Sequence, residues 1–207
     1  HEFFLPQWKA GIVEGHAQSV MSSYNAINGV PNAVNHHLLT DILRGQWGFD
    51  GFVTDDLGAV GLLTNGPTPS AGSTTISTEP GQHFSDDPVV SAAAAIKAGD
   101  DSDDPEFERN LPLAVKRGLL TEKDVDLAVS RVLRVGFRLG AFDPPGSSPY
   151  AKIGMDVVRT PEHLALSLKT AEESMTLLSN RAGFLPLDRS KIHSVAVIGP
   201  AGDQNYE

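Results

Sequence analysis

The sequence predicts an α/β fold in which parallel strands alternate with helices. Two short segments with apolar centres, 17–22 and 51–55, read as strands, and 36–47 carries leucine and isoleucine at helical spacing between them. The first strand leads into a polar loop, and the second ends in the paired carboxylates Asp55 and Asp56. Enzymes of this class place their active sites at the carboxyl ends of parallel strands, so this β-loop-α-β unit predicts chemistry at one edge of a sheet.

The other elements are predicted from capping residues and from glycine and proline. Five further helices share a threonine, aspartate or proline at the start or a glycine at the end, and they cover 8–15, 87–98, 110–117, 122–139 and 160–178. The Asn-Gly and proline of 25–31 predict a loop. The Gly-, Pro-, Ser- and Thr-rich stretch 65–80 predicts a long surface loop just past the carboxylates, either a tolerated insertion or the rim of an active site.

The proline-rich run 143–149 is the predicted domain boundary, because prolines and small polar residues cannot continue the preceding helix. We therefore expect a first domain over 1–142, a linker over 143–160 and the start of a second domain over 161–207. That second segment supplies one helix and one strand, 194–198, which are too few to bury a core. We expect the second domain to be incomplete.

Composition excludes several functional classes. The formal net charge of −10 argues against nucleic acid as a partner, and the absence of cysteine excludes disulfides, zinc-thiolate sites and cysteine nucleophiles. Nor does any apolar run reach the roughly 18–20 residues that cross a bilayer. The first residues include neither an initiator methionine nor a secretion signal, so we expect the sequence to come from the middle of a longer protein.

The carboxylates Asp55 and Asp56 are the strongest candidates for chemistry. Side chains alternate along a strand, so one of the two should face a ligand while the other bonds to backbone or to a neighbouring loop. A solvated acidic strand end is the alternative. The pair His36 and His37 has no third ligand at metal-binding spacing, and the acidic run 100–104 lacks the order of a calcium loop. No metal or cofactor is predicted.

Several motifs together resemble glycoside hydrolase family 3, the exo-acting β-glucosidases and β-xylosidases. The W-G-F-D-G turn at 47–51 leads through an apolar strand to Asp56-Leu57-Gly58-Ala59, and an S-Y-N segment follows the first strand. Further matches are listed here by range alone: 98–101, 139–143, 171–180, 185–187 and 195–200. The resemblance implies that 1–142 is the C-terminal part of a (β/α)8 TIM-type barrel and that an α/β sandwich domain begins after it.

The resemblance also implies roles for individual residues. An ungapped match makes Asp56 the nucleophile and puts Asp55 where the family has a serine, whereas a one-residue gap would make Asp55 the nucleophile. Met21 would contact the sugar ring, and the Tyr24 hydroxyl would lie near the nucleophile. The acid/base glutamate would follow Glu207, and no cofactor or metal would be needed.

The implied substrate is an oligosaccharide or aryl glycoside with a β-linked xylosyl or glucosyl residue at its non-reducing end. The Asn-Gly-Val-Pro run and His83, after the carboxylates, favour xylose. A β-N-acetylhexosaminidase of the same family and a non-catalytic sugar-binding fragment are the alternatives. Neither nucleic acid nor membrane is an expected partner.

Overall fold

The computed structural model describes residues 2–64, 81–103, 105–199 and 202, so the predicted loop 65–80 lies outside the described residues. The chain divides into two units, His1–Pro149 and Tyr150–Glu207. The strands of the first unit are β1 (Ser19–Ser22), β2 (Ala26–Ile27), β3 (Val30–Pro31) and β4 (Phe52–Asp55).

The central sheet of the first unit is parallel. β1 pairs with β4 in a register that runs from Ser19 opposite Phe52 to Ser22 opposite Asp55. A parallel bridge between Thr54 and Ser102 continues the sheet beyond β4. Three chain segments therefore lie side by side, with helices in the connections between them. This arrangement confirms the predicted α/β class.

The helix that connects β1 to β4 is a π-helical segment, His37–Gln46. The Asn35 side chain accepts a hydrogen bond from the Leu38 N–H at 3.0 Å near its start. Leu39 and Leu43 of this segment share one core cluster with Val53 of β4. The cluster consists of Ile12, Leu39, Leu43, Phe49, Val53 and Ala98.

The α-helices are α1 (Pro6–Lys9), α2 (Pro88–Ala98), α3 (Pro105–Lys116), α4 (Glu122–Arg138) and α5 (Pro161–Ser174). A π-helical turn, Ala10–Glu14, extends α1. Asp87 caps α2 by accepting a hydrogen bond from the Val89 N–H at 2.9 Å, and Thr121 and Asp124 form a capping box at the start of α4. Short 3-10 turns lie at Asn32–Val34, Gly61–Leu63, Met155–Val157, Arg181–Gly183 and Arg189–Lys191.

Two predicted helix boundaries and two predicted elements differ from the structure. The loop 25–31 contains the antiparallel hairpin of β2 and β3. The helix predicted from 110 begins at Pro105, because proline fits the first helical position and Glu106 and Glu108 favour the helix N-terminus. The helix predicted to end near 178 ends at Ser174. The predicted strand 194–198 has no ladder partner in the described part of the chain and is not a strand.

The second unit exposes its apolar residues. No described residue from 150 to 199 is buried, and the leucines of α5 at 164, 166 and 168 are 51%, 61% and 61% exposed. Within the described ranges, no helix is both long and apolar enough to span a membrane.

Candidate active site

The two carboxylates after β4 lie in different surroundings. Asp55 is the last residue of the strand, is only 7% exposed, and accepts a hydrogen bond from the Val60 N–H at 3.2 Å. Asp56 lies just beyond the strand and is half-buried, and it accepts a hydrogen bond from the Leu57 N–H at 2.9 Å. Asp55 therefore belongs to the interior of the turn, whereas Asp56 can reach a molecule at the sheet edge.

The electrostatics of Asp55 follow from its burial. Burial raises the pKa of the Asp55 carboxyl to about 6, against hydrogen bonds from Asp103 and the Val60 N–H that lower the pKa. The negative charge of Glu106 raises the pKa further. Asp55 consequently gains a proton in mildly acidic solution.

Tyr24 lies next to the turn of Asp56. Its hydroxyl donates a hydrogen bond to the carbonyl oxygen of Leu57, although Tyr24 and Leu57 are 33 residues apart in the chain. Burial raises the pKa of the Tyr24 phenol, and the charges of Asp56 and Asp55 raise it further. The structure therefore brings together Tyr24 and Asp56, two of the residues that the sequence singles out.

Met21 lies on the same sheet edge. It pairs with Thr54 in the register of β1 and β4, and its side chain is 46% exposed. Ser22, the next residue, is 3% exposed, as the alternation of a strand requires. Met21 is thus accessible beside the end of β4, because its register partner Thr54 is two positions before Asp56.

A contact that the sequence did not predict joins Tyr24 to the residues after 80. The Gln82 side-chain amide donates a hydrogen bond to the Tyr24 carbonyl oxygen, and the Gln82 N–H donates to the Leu62 carbonyl at 2.7 Å. The neighbouring His83 is exposed and has a left-handed backbone (φ 56°). The sequence drew attention to His83 as a histidine after the carboxylates, but nothing in it distinguishes Gln82 as the residue that contacts Tyr24.

Asp101 forms a buried ion pair with two arginines. One carboxylate oxygen accepts hydrogen bonds from Arg44 and from the Val53 N–H at 2.9 Å, and the other accepts from Arg131 at 2.7 Å. The Asp101 side chain is 0% exposed. The carboxylate thus joins three elements, namely β4, the His37–Gln46 segment and α4. Asp101 of the acidic run 100–104 therefore has a structural role.

The paired histidines contact an acidic neighbour. His37 Nδ1 lies 3.1 Å from an oxygen of Asp41, and His36 Nδ1 lies 3.4 Å from the other oxygen. Among the residues that the structure describes, no group of three or more His, Asp or Glu side chains could hold a metal ion.

Comparisons with known proteins extend this description. Residues 1–135 match the family model described as the glycosyl hydrolase family 3 N terminal domain. Beta-D-xylosidase 1 of Arabidopsis thaliana is 39% identical over 197 residues, which are 95% of this chain and 23% of that protein. A probable exo-1,4-beta-xylosidase, bxlB, of Aspergillus fumigatus is 36% identical over 203 residues, which are 96% of this chain and 24% of that protein.

Solved structures are similar as well. The exo-beta-xylosidase XlnD of family GH3, in complex with a xylobiose aziridine activity-based probe, has a TM-score of 0.72 at 28% identity, over 89% of this chain and 22% of that one. A beta-glucosidase involved in saponin metabolism, from intestinal bacteria, has a TM-score of 0.70 at 36% identity, over 97% and 24%. This chain spans about a quarter of the length of these relatives. It belongs to glycosyl hydrolase family 3.

Proposed function

We propose that the protein containing this chain is a retaining exo-glycosidase that removes β-linked xylosyl or glucosyl residues from non-reducing ends, and that Asp56 is its nucleophile. The observation that carries the proposal is the contrast at the end of β4. Asp55 is buried and bonded inside the turn, whereas Asp56 is half-buried and lies beside Tyr24 and Met21. An accessible carboxylate at the carboxyl end of a parallel strand is suited to attack an anomeric carbon.

In the proposed reaction, a carboxylate oxygen of Asp56 bonds to the anomeric carbon as the bond to the leaving oxygen breaks. An acid/base carboxyl protonates that oxygen and then activates the water that hydrolyses the glycosyl-enzyme. The Leu57 N–H holds one oxygen of Asp56 at 2.9 Å, which fixes the orientation of the carboxylate. We propose that the acid/base carboxyl belongs to a part of the protein outside this chain, about 5–5.5 Å from Asp56 in the complete site.

The domain assignment is part of the same proposal. We propose that 1–142 is the C-terminal part of a (β/α)8 barrel, that 143–160 is a linker and that 161–207 begins an α/β sandwich domain. Three parallel segments in chain order, each joined by a helical connection, support the barrel portion. The family match over 1–135 supports a separate N-terminal domain.

The relatives include both β-xylosidases and β-glucosidases, and β-xylosidases are the more frequent among those described above. The two curated relatives above are named as β-xylosidases, and the two structures above are a xylosidase and a glucosidase. We propose xylosyl residues as the preferred group. A β-N-acetylhexosaminidase would cleave a different aryl glycoside, and a non-catalytic sugar-binding protein would cleave none, so a substrate panel separates all the alternatives.

The test uses the full-length protein with aryl β-xyloside, β-glucoside and β-N-acetylglucosaminide. We expect the highest kcat/KM on the xyloside, followed by the glucoside. A fluorinated xyloside that traps the covalent intermediate should label Asp56, as read by peptide mass mapping. Label on Asp55 would overturn the assignment of the nucleophile, and an absence of turnover on every glycoside would overturn the proposed activity.

A further inference from the structure

Asp100 is a fully buried carboxyl that the proposed reaction does not use. It follows α2 and Gly99, whose left-handed backbone (φ 106°) ends that helix. A side chain at Gly99 would come within 2.9 Å of the Thr40 hydroxyl, so this close packing also favours glycine. The Asp100 N–H donates to the Ala95 carbonyl at 3.1 Å, and Asp100 is 0% exposed. The turn thus fixes Asp100 beneath the strand ends.

Among the described residues, Ser22 is the side chain that donates a hydrogen bond to the Asp100 carboxyl. The Ser22 hydroxyl donates to Oδ2 at 2.9 Å, and Oδ1 is buried and has no hydrogen-bond partner among the described residues. An ionised carboxylate needs donors on both oxygens or a cation to offset the loss of water. An uncompensated oxygen at this depth favours the neutral acid.

The charges that face Asp100 come from three elements and agree with a neutral acid. Asp55 at the end of β4 and the neighbouring Asp101 are carboxyls, and Arg44 of the His37–Gln46 segment is a cation close enough to interact with the Asp100 charge. Arg44 is already held by Asp101 and by the Gly51 carbonyl at 2.9 Å. Burial raises the pKa of Asp100 well above its usual range, and the charges of Asp55 and Asp101 add to the effect, against the hydrogen bonds from the Ser22 hydroxyl and the Asp101 backbone, which lower the pKa.

Ser22 connects Asp100 to the candidate nucleophile. Its hydroxyl binds Asp100, and its carbonyl oxygen accepts the Asp56 N–H at 2.9 Å. Ser22 lies at the end of β1, so the two hydrogen bonds fix the strand end and the first residue of the turn together. These hydrogen bonds link Asp100 to Asp56 through Ser22, and Ser22 and Asp100 are 78 residues apart in the sequence.

We propose that Asp100 is a positioning residue for Asp56, held as a neutral carboxylic acid that binds Ser22 and thereby fixes the backbone from which Asp56 projects. The inference rests on the proposed function for its kinetic consequence and on the geometry alone for the protonation of Asp100. A neutral Asp100 also keeps a second negative charge away from Asp56, which must be ionised to attack.

Infrared difference spectroscopy tests the protonation without any substrate. The spectrum of the full-length wild type minus that of Asp100→Asn at neutral pH should contain the C=O stretch of a protonated carboxylic acid. Loss of a carboxylate band instead would overturn the proposal. Because this measurement needs no turnover, it remains decisive if the protein hydrolyses no glycoside and the proposed function fails.

Kinetics test the positioning role. Asp100→Ala should lower kcat about 10- to 100-fold with KM changed less than about twofold, because the nucleophile is displaced while the sugar contacts remain. Asp100→Asn keeps an acceptor for Ser22 without a charge and should recover most of the lost kcat. An unchanged kcat in Asp100→Ala, or no recovery in Asp100→Asn, would overturn the role.

Ser22→Ala provides a second route in case Asp100→Ala does not fold. By itself it should lower kcat in the same way. When Asp100→Ala folds, the double variant should be no worse than the more impaired single variant, because both residues act through one chain of hydrogen bonds. Ser91→Ala is the matched control, since Ser91 is buried like Ser22 (0% against 3% exposed), and its hydroxyl has no partner among the described residues. Additive losses from Ser22→Ala and Asp100→Ala would contradict the shared role.

Discussion

At the residue scale, Asp55 and Asp56 are adjacent in sequence, but substitution by asparagine should affect catalysis differently at the two positions. Asp56→Asn in the full-length protein should lower kcat by on the order of 10³-fold or more, because an amide cannot form the glycosyl-enzyme ester. Asp55→Asn retains an oxygen for the Val60 N–H and should cost far less. Steady-state kinetics on the aryl xyloside measure both, and equal losses would remove the distinction between the two residues.

Tyr24 gives a second prediction at this scale. Tyr24→Phe removes the hydroxyl that donates to the Leu57 carbonyl and leaves the ring in place. The turn that carries Asp56 then loses one hydrogen bond, so kcat should fall about tenfold, which corresponds to roughly 1.4 kcal/mol. KM should change less, and the ratio of the two effects comes from full Michaelis profiles. An unaltered kcat would make Tyr24 a packing residue.

The raised pKa of Asp55 predicts a pH dependence of stability. The pKa of Asp55 is 3.8 in the unfolded chain and about 6 in the folded protein, so between these pH values the folded state binds one more proton. The stabilising contribution of Asp55 is therefore largest below pH 4 and is lost as the pH rises through 6. The change amounts to about 3 kcal/mol at most. Urea unfolding of full-length wild type and Asp55→Asn at pH 4 and pH 7 measures this contribution. A difference in unfolding free energy between the two proteins that is the same at both pH values would contradict the prediction.

At the element scale, α4 forms a buried and an exposed ion pair within the first unit, and the two should contribute unequally to the free energy of unfolding. Arg131 and Arg44 meet Asp101 in the interior, where their side chains are 18% and 11% exposed. Arg138 meets Asp50 at 2.6 Å on the surface, where the two side chains are 43% and 54% exposed. Removing a partner of a buried pair leaves an uncompensated charge, whereas an exposed pair contributes little.

We therefore expect Asp101→Ala to lower the free energy of unfolding by about 3–5 kcal/mol. Asp50→Ala is the matched control and should cost about 1 kcal/mol or less. Urea denaturation of the full-length variants checks both values. Similar losses in the two variants would show that burial does not decide the strength of these pairs.

The sequence predicts helices better than strand contacts, for a physical reason. Thr121 and Asp87 cap α4 and α2 as their positions predict, because a cap depends on residues within one turn. The strand 194–198 fails because a strand needs a partner that no local pattern specifies. The same limit applies at the site: the sequence indicates Asp56 and Tyr24, but Ser22 and Asp100 join across 78 residues.

At the scale of the whole molecule, the 207 residues should not unfold as one cooperative unit when expressed alone. The described part of Tyr150–Glu207 has no buried residue, and on α4 the side chains of Leu127, Leu133 and Phe137 are 51%, 42% and 65% exposed. Such surfaces do not offset the entropy of ordering the chain. Thermal unfolding followed by circular dichroism should give a broad transition, and glycoside turnover should be negligible. A sharp transition with full turnover would contradict this.

The contacts between α4 and Asp50 can form only after α4 has been synthesised. Arg134 donates to the Asp50 carbonyl at 2.8 Å, and Arg138 binds the Asp50 carboxylate from 88 residues further along the chain. At a translation rate of about 5–20 residues per second, Arg138 is added to the chain about 4–18 s after Asp50. During that interval the segment leading into β4 lacks these partners. The segment that leads into β4 would therefore acquire these contacts only after α4 has been synthesised.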